Sequence, residues 1–175
     1  FFELDEEKRA RVVTAVLQEF AQYPYNESST NRMVTNAGIG KGSLFKYFEN
    51  KKDMYFYILD RVTADFTTNM EKVIADLPRD FSERIMRYAE LEFTWHMHNP
   101  DKYKLFKKAF VKNDTQIYKE TMERYACEGE NHYYRLFDDA NMEECTWEKK
   151  KVLDTVKWFL KGFNEEFMVA MQTQD

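Results

Sequence analysis

The chain has 175 residues, a net charge of −5, a hydrophobic share of 43%, five glycines and three prolines. This composition excludes disordered and collagen-like chains and disfavours a β-sandwich. Mean hydropathy is −0.72, and the longest apolar run, residues 54–59, is far shorter than the ~18 residues of a membrane-spanning helix. The negative charge argues against a non-specific nucleic-acid coat. Because two cysteines are too few for a disulfide scaffold, we expect a soluble, cytoplasmic protein.

Apolar residues recur at steps of three and four along almost the whole chain, which predicts an all-α fold of about eight helices. The first helix runs from Asp5 until Pro24 ends it, and Ser29 caps a short second helix that Ala37 and Gly38 end. Asn50 caps a long helix of about 28 residues, before Pro78. Further apolar stripes predict helices at 81–98, 101–112, 115–138 and 146–172.

Residues 29–48 combine a short helix, a glycine turn and a second short helix that ends in aromatic residues. This is the plan of a helix-turn-helix, whose second helix enters the major groove of DNA. The local charge agrees, because residues 28–52 sum to +4 while the rest of the chain sums to −9. A solvated helical corner, or a nucleotide-binding loop at Gly40–Ser43, would be the alternatives. The loop needs Ser or Thr directly after Gly-Lys and a preceding strand, and the sequence predicts neither.

The run from Thr30 to Phe48, followed by Asn50-Lys51-Lys52-Asp53-Met54, resembles the DNA-binding signature of the tetracycline-repressor (TetR) family of transcriptional regulators. The resemblance covers roughly residues 8 to 60. It implies a helix-turn-helix DNA-binding domain at residues 1–49 and a helical ligand-binding and dimerisation domain at residues 50–175. Beyond residue 60 the similarity is one of architecture.

The resemblance also implies which residues contact DNA. The start of the second helix would face phosphate, the tip and outer face of the recognition helix would enter the groove, and the start of the fourth helix would contact phosphate again. In chain order these residues are Ser29, Thr30, Asn31, Gly40, Lys41, Gly42, Ser43, Phe45, Lys46, Tyr47 and Lys51. Gly40 and Phe45 depart from the family pattern, which often has a polar residue and Tyr there, so each lacks a hydroxyl group. Lys41 and Lys46 are then the best candidates for base or phosphate contacts.

The predicted helical domain is rich in aromatic residues. Most of them are ordinary core residues, but a subset would suit the wall of an apolar ligand pocket: Phe93, Trp95, Met97, Phe106, Phe110, Tyr118, Met122, Tyr125 and Trp158. Cationic amphiphiles and neutral hydrophobes fit such walls equally well, so the ligand class stays open.

The last two helices carry long apolar stripes, and the family pairs its final helices with a second subunit. On that basis we expect a homodimer interface at Tyr133, Phe137, Val156, Phe159, Phe163 and Phe167. Two recognition helices must also reach major grooves about 34 to 36 Å apart, which indicates a dimer on a palindromic operator.

No cofactor, metal or catalytic residue is predicted. His96 and His98 point to different helical faces, and Glu92 and His96 are most simply an exposed ion pair. The sequence therefore predicts a ligand-responsive DNA-binding regulator, in the form of a repressor that an unidentified small effector releases from its operator. The alternative is a helical small-molecule-binding or sequestration protein that kept the fold but lost sequence-specific DNA binding.

Overall fold

The computed structural model describes residues 5–111, 114–143 and 146–172, with side chains at all of these except 161 and 163–172. Within these ranges the chain forms eight α-helices and no strand. They are α1 (Glu6–Gln22), α2 (Thr30–Ala37), α3 (Lys41–Phe45), α4 (Lys51–Ile74), α5 (Phe81–His98), α6 (Pro100–Phe110), α7 (Gln116–Arg135) and α8 (Lys149–Gln172). The predicted all-α fold is confirmed.

The predicted caps determine where most of the helices begin. The side chains of Asp5, Ser29 and Asn50 accept hydrogen bonds from the first free amides of α1, α2 and α4. Helix α4 ends at Ile74, short of the predicted Leu77, because the Leu77 amide bonds to the carbonyl three residues back at 3.2 Å. Its 24 residues form a rod of about 36 Å.

One hydrophobic core runs from the first helices into the rest of the bundle. We call α1–α3 the head and α4–α8 the body. Buried side chains of the head pack in one cluster with buried side chains of α4, α5, α6 and α7; the cluster includes Val12, Phe20, Met33, Leu44, Met54, Leu59, Trp95, Leu105 and Tyr125. The boundary between residues 49 and 50 therefore does not separate two cores.

Helix α6 packs directly on α1. The Lys108 ammonium group donates a hydrogen bond to the Ala21 carbonyl at 2.6 Å, near the C-terminal end of α1. Cations are stabilised at that end because the carbonyls there lack helical partners. The body thus contacts the head along α6 as well as through the continuous α4.

Ion pairs hold α4 to its neighbours along its length. They join Lys52 to Glu120, Asp60 to Arg124, Asp65 to Lys102, and Glu71 to Arg135, at distances of 2.6 to 3.2 Å. Each pair is partly exposed and contributes little alone. Their distribution fixes the register of α4 against α6 and α7.

The far end of the body has a smaller core around Leu77, Leu136, Phe137 and Leu153. The buried Arg84 side chain lies beside it and donates to the carbonyls of Pro78 (2.9 Å) and Leu136. It thereby satisfies carbonyls where α4 and α7 end. None of the helices that the structure describes is long and apolar enough to cross a membrane.

Candidate nucleic-acid interface

Gly38 forms the turn between α2 and α3. Its φ of 65° lies in the left-handed region, where a residue with a Cβ is strained. The Gly38 amide donates to the Thr35 carbonyl and the Ile39 amide to the Val34 carbonyl, so the last carbonyls of α2 are satisfied. The short helix α3 therefore starts at a fixed angle to α2.

A buried carboxylate positions the start of α2. Glu19 is only 3% exposed, and its Oε1 accepts hydrogen bonds from the Ser29 amide at 2.7 Å and the Arg32 guanidinium at 2.5 Å. The Arg32 guanidinium also lies 4.0 Å from the centre of the Tyr23 ring. The sequence does not indicate this network, because Glu19 has the pattern of an ordinary polar residue of an amphipathic helix.

The predicted recognition helix is short and exposed. It begins after Gly40, which offers no side-chain cap, and extends from Lys41 to Phe45. The core beneath this segment is formed by the buried Met33, Leu44 and Phe48, and Val34 and Ile39 pack partly buried against them.

The predicted DNA-contact residues fall into two groups by exposure. Asn31, Gly40, Lys41, Gly42, Phe45 and Lys46 are exposed, whereas Ser29, Thr30, Ser43, Tyr47 and Lys51 are partly buried. The exposed group lies at the start of α2 and along α3 and the residue after it. This is the part of the head that a DNA groove can reach without rearrangement of the core.

Only part of the positive charge of the basic segment, residues 28–52, is available to a ligand. Arg32 is paired with Glu19, and Lys52 with Glu120. The Lys51 ammonium group donates to the carbonyls of Tyr25 (2.7 Å) and Ser28 (3.1 Å), and desolvation lowers the pKa of this group.

Lys51 therefore differs from its expected role as a simple phosphate contact, because two of its three protons hold the loop between α1 and α2. Among the described residues, Lys41 and Lys46 of this basic segment are in no ion pair.

The residues predicted for a ligand pocket do not share one site. Trp95, Phe106, Phe110 and Tyr125 form a chain of ring contacts, with centroids 5.7 to 6.0 Å apart. Tyr118 and Met122 are partly buried on α7. Phe93, Met97 and Trp158 are 47%, 59% and 78% exposed and lie outside that cluster. The alternation of Phe93, Trp95 and Met97 explains part of this difference, since residues two apart point to different sides of a helix.

The predicted dimer residues are divided as well. Phe137 is buried in the small core, and the Tyr133 hydroxyl donates to the Leu153 carbonyl at 2.7 Å, so both pack within the chain. Val156 is partly buried, and Phe159 is 71% exposed. Phe163 and Phe167 lie outside the described side chains. Trp147, which the sequence analysis did not single out, shares an open cleft with Trp158.

Glu92 and His96 are not the exposed ion pair that the sequence favoured. Both are partly buried, and no hydrogen bond or ion pair joins Glu92 to a described residue. Desolvation raises the pKa of Glu92 to about 7 and lowers that of His96 to about 4. No group of three or more His, Cys, Asp or Glu side chains in the described ranges could hold a metal ion.

Residues 12–58 match the family described as bacterial regulatory proteins, tetR family. An HTH-type transcriptional regulator of Staphylococcus aureus (strain bovine RF122 / ET3-1) is 29% identical over 75 residues, which are 43% of this chain and 40% of that protein. The chain thus matches about two fifths of the length of this curated relative. The family match covers the helix-turn-helix.

Solved structures share the fold over most of the chain. A transcriptional-regulator structure from Streptomyces coelicolor superposes with a TM-score of 0.65 at 20% identity and covers 96% of this chain and 86% of that one. A TetR family regulator from Chloroflexus aurantiacus J-10-FL gives a TM-score of 0.57 at 24% identity, over 91% of this chain and 86% of that one. Residues 12–58 are thus similar to the tetR family of bacterial regulatory proteins, and most of the chain shares the all-α fold of the two solved structures.

Proposed function

We propose that the protein is a repressor that binds a palindromic operator as a homodimer and is released by a small hydrophobic or amphipathic effector. The observation that carries this proposal is a pair of exposed lysines, Lys41 at the start of α3 and Lys46 directly after its end, that no described acid neutralises. Base edges and phosphates are the partners that such lysines take in a major groove.

The other predicted contacts fit around these two lysines. Thr30 and Asn31 open α2, where free amides favour phosphate. Gly40, Gly42 and Ser43 allow a close backbone approach, while Phe45 and Tyr47 offer apolar and stacking contacts beside Lys46. Ser29 and Lys51 position the site and do not themselves have free polar groups for DNA, because these groups already form hydrogen bonds to residues of the head.

The DNA-binding claim is tested by fluorescence anisotropy with DNA from the region that flanks the gene, over a series of salt concentrations. Lys41→Ala and Lys46→Ala should each weaken operator binding and reduce the salt slope by about 1. Lys72→Ala, an exposed lysine in the last turn of α4, serves as the control and should change neither quantity. If the wild type shows no salt-sensitive binding to any palindromic site, the result favours the alternative of a small-molecule-binding or sequestration protein.

Exposed aromatic side chains on α8 support the dimer. Trp158 and Phe159 are neighbours on this helix and are both largely exposed, and Trp158 lines a cleft of about 540 Å³ with Trp147 and Lys157. Exposed apolar patches of this kind mark interaction surfaces. A second subunit that covers this patch would bring two heads onto one operator.

The dimer is tested by sedimentation with a double variant, Trp158→Asp with Phe159→Asp. This variant should sediment as a monomer and lose operator affinity, because a monomer cannot bind both half-sites. Met86→Asp is the matched control, since Met86 is an exposed apolar residue on α5; it should remain a dimer. A dimeric double variant would contradict the assignment of this surface.

Two connections support a route from effector to DNA. Helix α4 continues from the head into the body, and α6 bonds to the end of α1 through Lys108. An effector that binds the released state more tightly shifts the population toward it, and a reversal from 1:99 to 99:1 needs about 5.5 kcal/mol of preference. Operator binding that stays unchanged at demonstrated effector saturation would refute the switch.

A further inference from the structure

The interior of the body contains a group of polar and aromatic side chains that the DNA-binding function does not use. We call Phe66, Tyr88, Glu92, His96, Tyr103 and His132 the Glu92 cluster. They come from α4, α5, α6 and α7. The Phe66 ring lies at its centre, with ring centroids 6.0 Å from His96 and 6.3 Å from His132, and the His96 and Tyr103 rings are 4.3 Å apart.

The cluster contains a carboxyl group without a cationic partner. Glu92 has no hydrogen bond or ion pair with a described residue. Burial raises the pKa of Tyr88 and Tyr103, and the nearby Glu92 carboxylate raises it further. The two histidines do not supply the missing charge, because desolvation lowers the pKa of both. The positive charge of Arg135 also lowers the pKa of His132. Arg135 itself forms an ion pair with Glu71. A desolvated carboxylate without a partner is costly in a folded protein.

A second polar group in the cluster also lacks a partner. His132 is 8% exposed, its Nε2 lies 3.3 Å from the Tyr88 hydroxyl, and its buried Nδ1 has no hydrogen-bond partner. The Thr63 hydroxyl, one turn before Phe66 on α4, is likewise buried without a partner. Buried polar atoms are almost always satisfied in native proteins. Two such atoms, on the α4 and α7 helices that contribute to the cluster, point to a ligand that supplies polar contacts.

The residues favour one chemical class of ligand. A carboxylate or phosphate ligand would be repelled by Glu92, and a neutral hydrocarbon would leave it uncompensated. An organic cation would neutralise the carboxylate and place its charge against aromatic faces. We propose that the Glu92 cluster binds a small amphipathic organic cation, with Glu92 as counter-ion and Phe66 as the aromatic wall, and that such a cation is the effector of the repressor.

This proposal rests on the proposed function only in its last clause, the role of the cation as effector. The link to DNA is Phe66, since this side chain belongs to α4, the helix that continues into the head. A ligand that enters the cluster displaces Phe66 from His96 and His132 and moves α4 with it. Ligand binding at Glu92 is then coupled to a shift of the head through α4.

The test compares two molecules of equal shape on the full chain. Phenethyltrimethylammonium carries a permanent positive charge, and 3,3-dimethylbutylbenzene is its uncharged carbon isostere. Affinity is measured from the change in tryptophan fluorescence, as Trp95 packs against Phe66 at 5.0 Å. The wild type should bind the cation at least tenfold more tightly than the isostere.

Two variants separate the site from the rest of the surface. Glu92→Gln removes the charge and keeps the shape, so it should abolish the preference for the cation. Glu90→Gln removes an equal charge from the exposed face of the same helix, where Glu90 pairs with Arg87, and should leave the preference intact. Equal binding of the two molecules by the wild type, no binding of either, or a preference that survives in a folded Glu92→Gln variant would overturn the proposal.

Operator binding is measured on the same samples. The cation should weaken operator binding of the wild type and not of Glu92→Gln. A Glu92-dependent preference for the cation with unchanged operator affinity would establish the site and overturn its role as the effector site. The same preference in a protein that binds no operator would instead contradict the proposed repressor.

Discussion

Replacement of Glu92 by Gln should stabilise the protein at high pH and leave it unchanged at low pH. Burial raises the pKa of Glu92 from its ordinary value of 4.5 to about 7. Below pH 4.5 the carboxyl group is protonated in both folded and unfolded chains, so it carries no ionisation cost. As the pH rises from 4.5 to 7, the carboxyl group ionises in the unfolded chain before it does so in the folded one, so the free energy of unfolding of the wild type decreases; above pH 7 the loss is complete.

The size of the effect follows from the shift in pKa. Two and a half units at 1.36 kcal/mol each give about 3 kcal/mol, and the partial exposure of the side chain reduces the expected gain to about 2 kcal/mol at pH 8. For a chain of this size that gain raises the melting temperature by roughly 4 to 8 °C. Glutamine keeps the shape and stays neutral, so the packing around Phe66 is retained.

The assay is thermal unfolding followed by circular dichroism at pH 4, 6 and 8. Protein concentration is held constant, since association also stabilises the folded state. The difference between Glu92→Gln and wild type should grow with pH, whereas Glu90→Gln should show no such trend. A Glu92→Gln variant that is less stable than wild type at pH 8, or a difference that does not vary with pH, would refute the interpretation of Glu92 as a desolvated carboxylate.

Three further substitutions test the supports of the head and body by urea unfolding. Glu19→Gln removes charged hydrogen bonds to Ser29 and Arg32 and should lower the free energy of unfolding by about 2 kcal/mol and weaken operator binding; unchanged operator affinity would show that the network does not position α2. Gly38→Ala should cost about 1 kcal/mol, since alanine is strained at a φ of 65°; a neutral result would contradict that turn geometry. Arg84→Met leaves carbonyls at the ends of α4 and α7 without donors and should cost about 3 kcal/mol, and a loss below 1 kcal/mol would show that these carbonyls find other donors.

Local features of the fold were predictable because they depend on neighbours in sequence. Ser29, Gly38 and Asn50 act through atoms within five residues of themselves, and each determines a helix end that the sequence also indicates. The contact between Lys108 and Ala21 spans 87 residues, and no periodicity of either helix indicates it. The same is true of the exposure of Trp158, because a stripe shows which residues share a face but not what covers that face.

The charge available at the candidate site was also not predictable from the sequence, because it depends on partners that are distant along the chain. The sequence gives a basic segment between residues 28 and 52, yet Arg32, Lys51 and Lys52 bind partners in α1, the loop before α2, and α7. Those partners are distant in sequence, so residue counts overestimate the charge that DNA meets. Among the described residues of the segment, the exposed cations outside any ion pair are Lys41 and Lys46.

The shared core of α1 and α6 affects how this protein can be recombined with its relatives. The predicted boundary at residue 49 would divide a DNA-binding domain from a ligand-binding one, but Val12 and Phe20 on one side pack in the same cluster as Leu105 and Ala109 on the other. A chimera joined at that boundary would place a foreign α6 against this head and mismatch the cluster. The smallest unit that keeps this core intact in a chimera is therefore the head together with the inner face of α6.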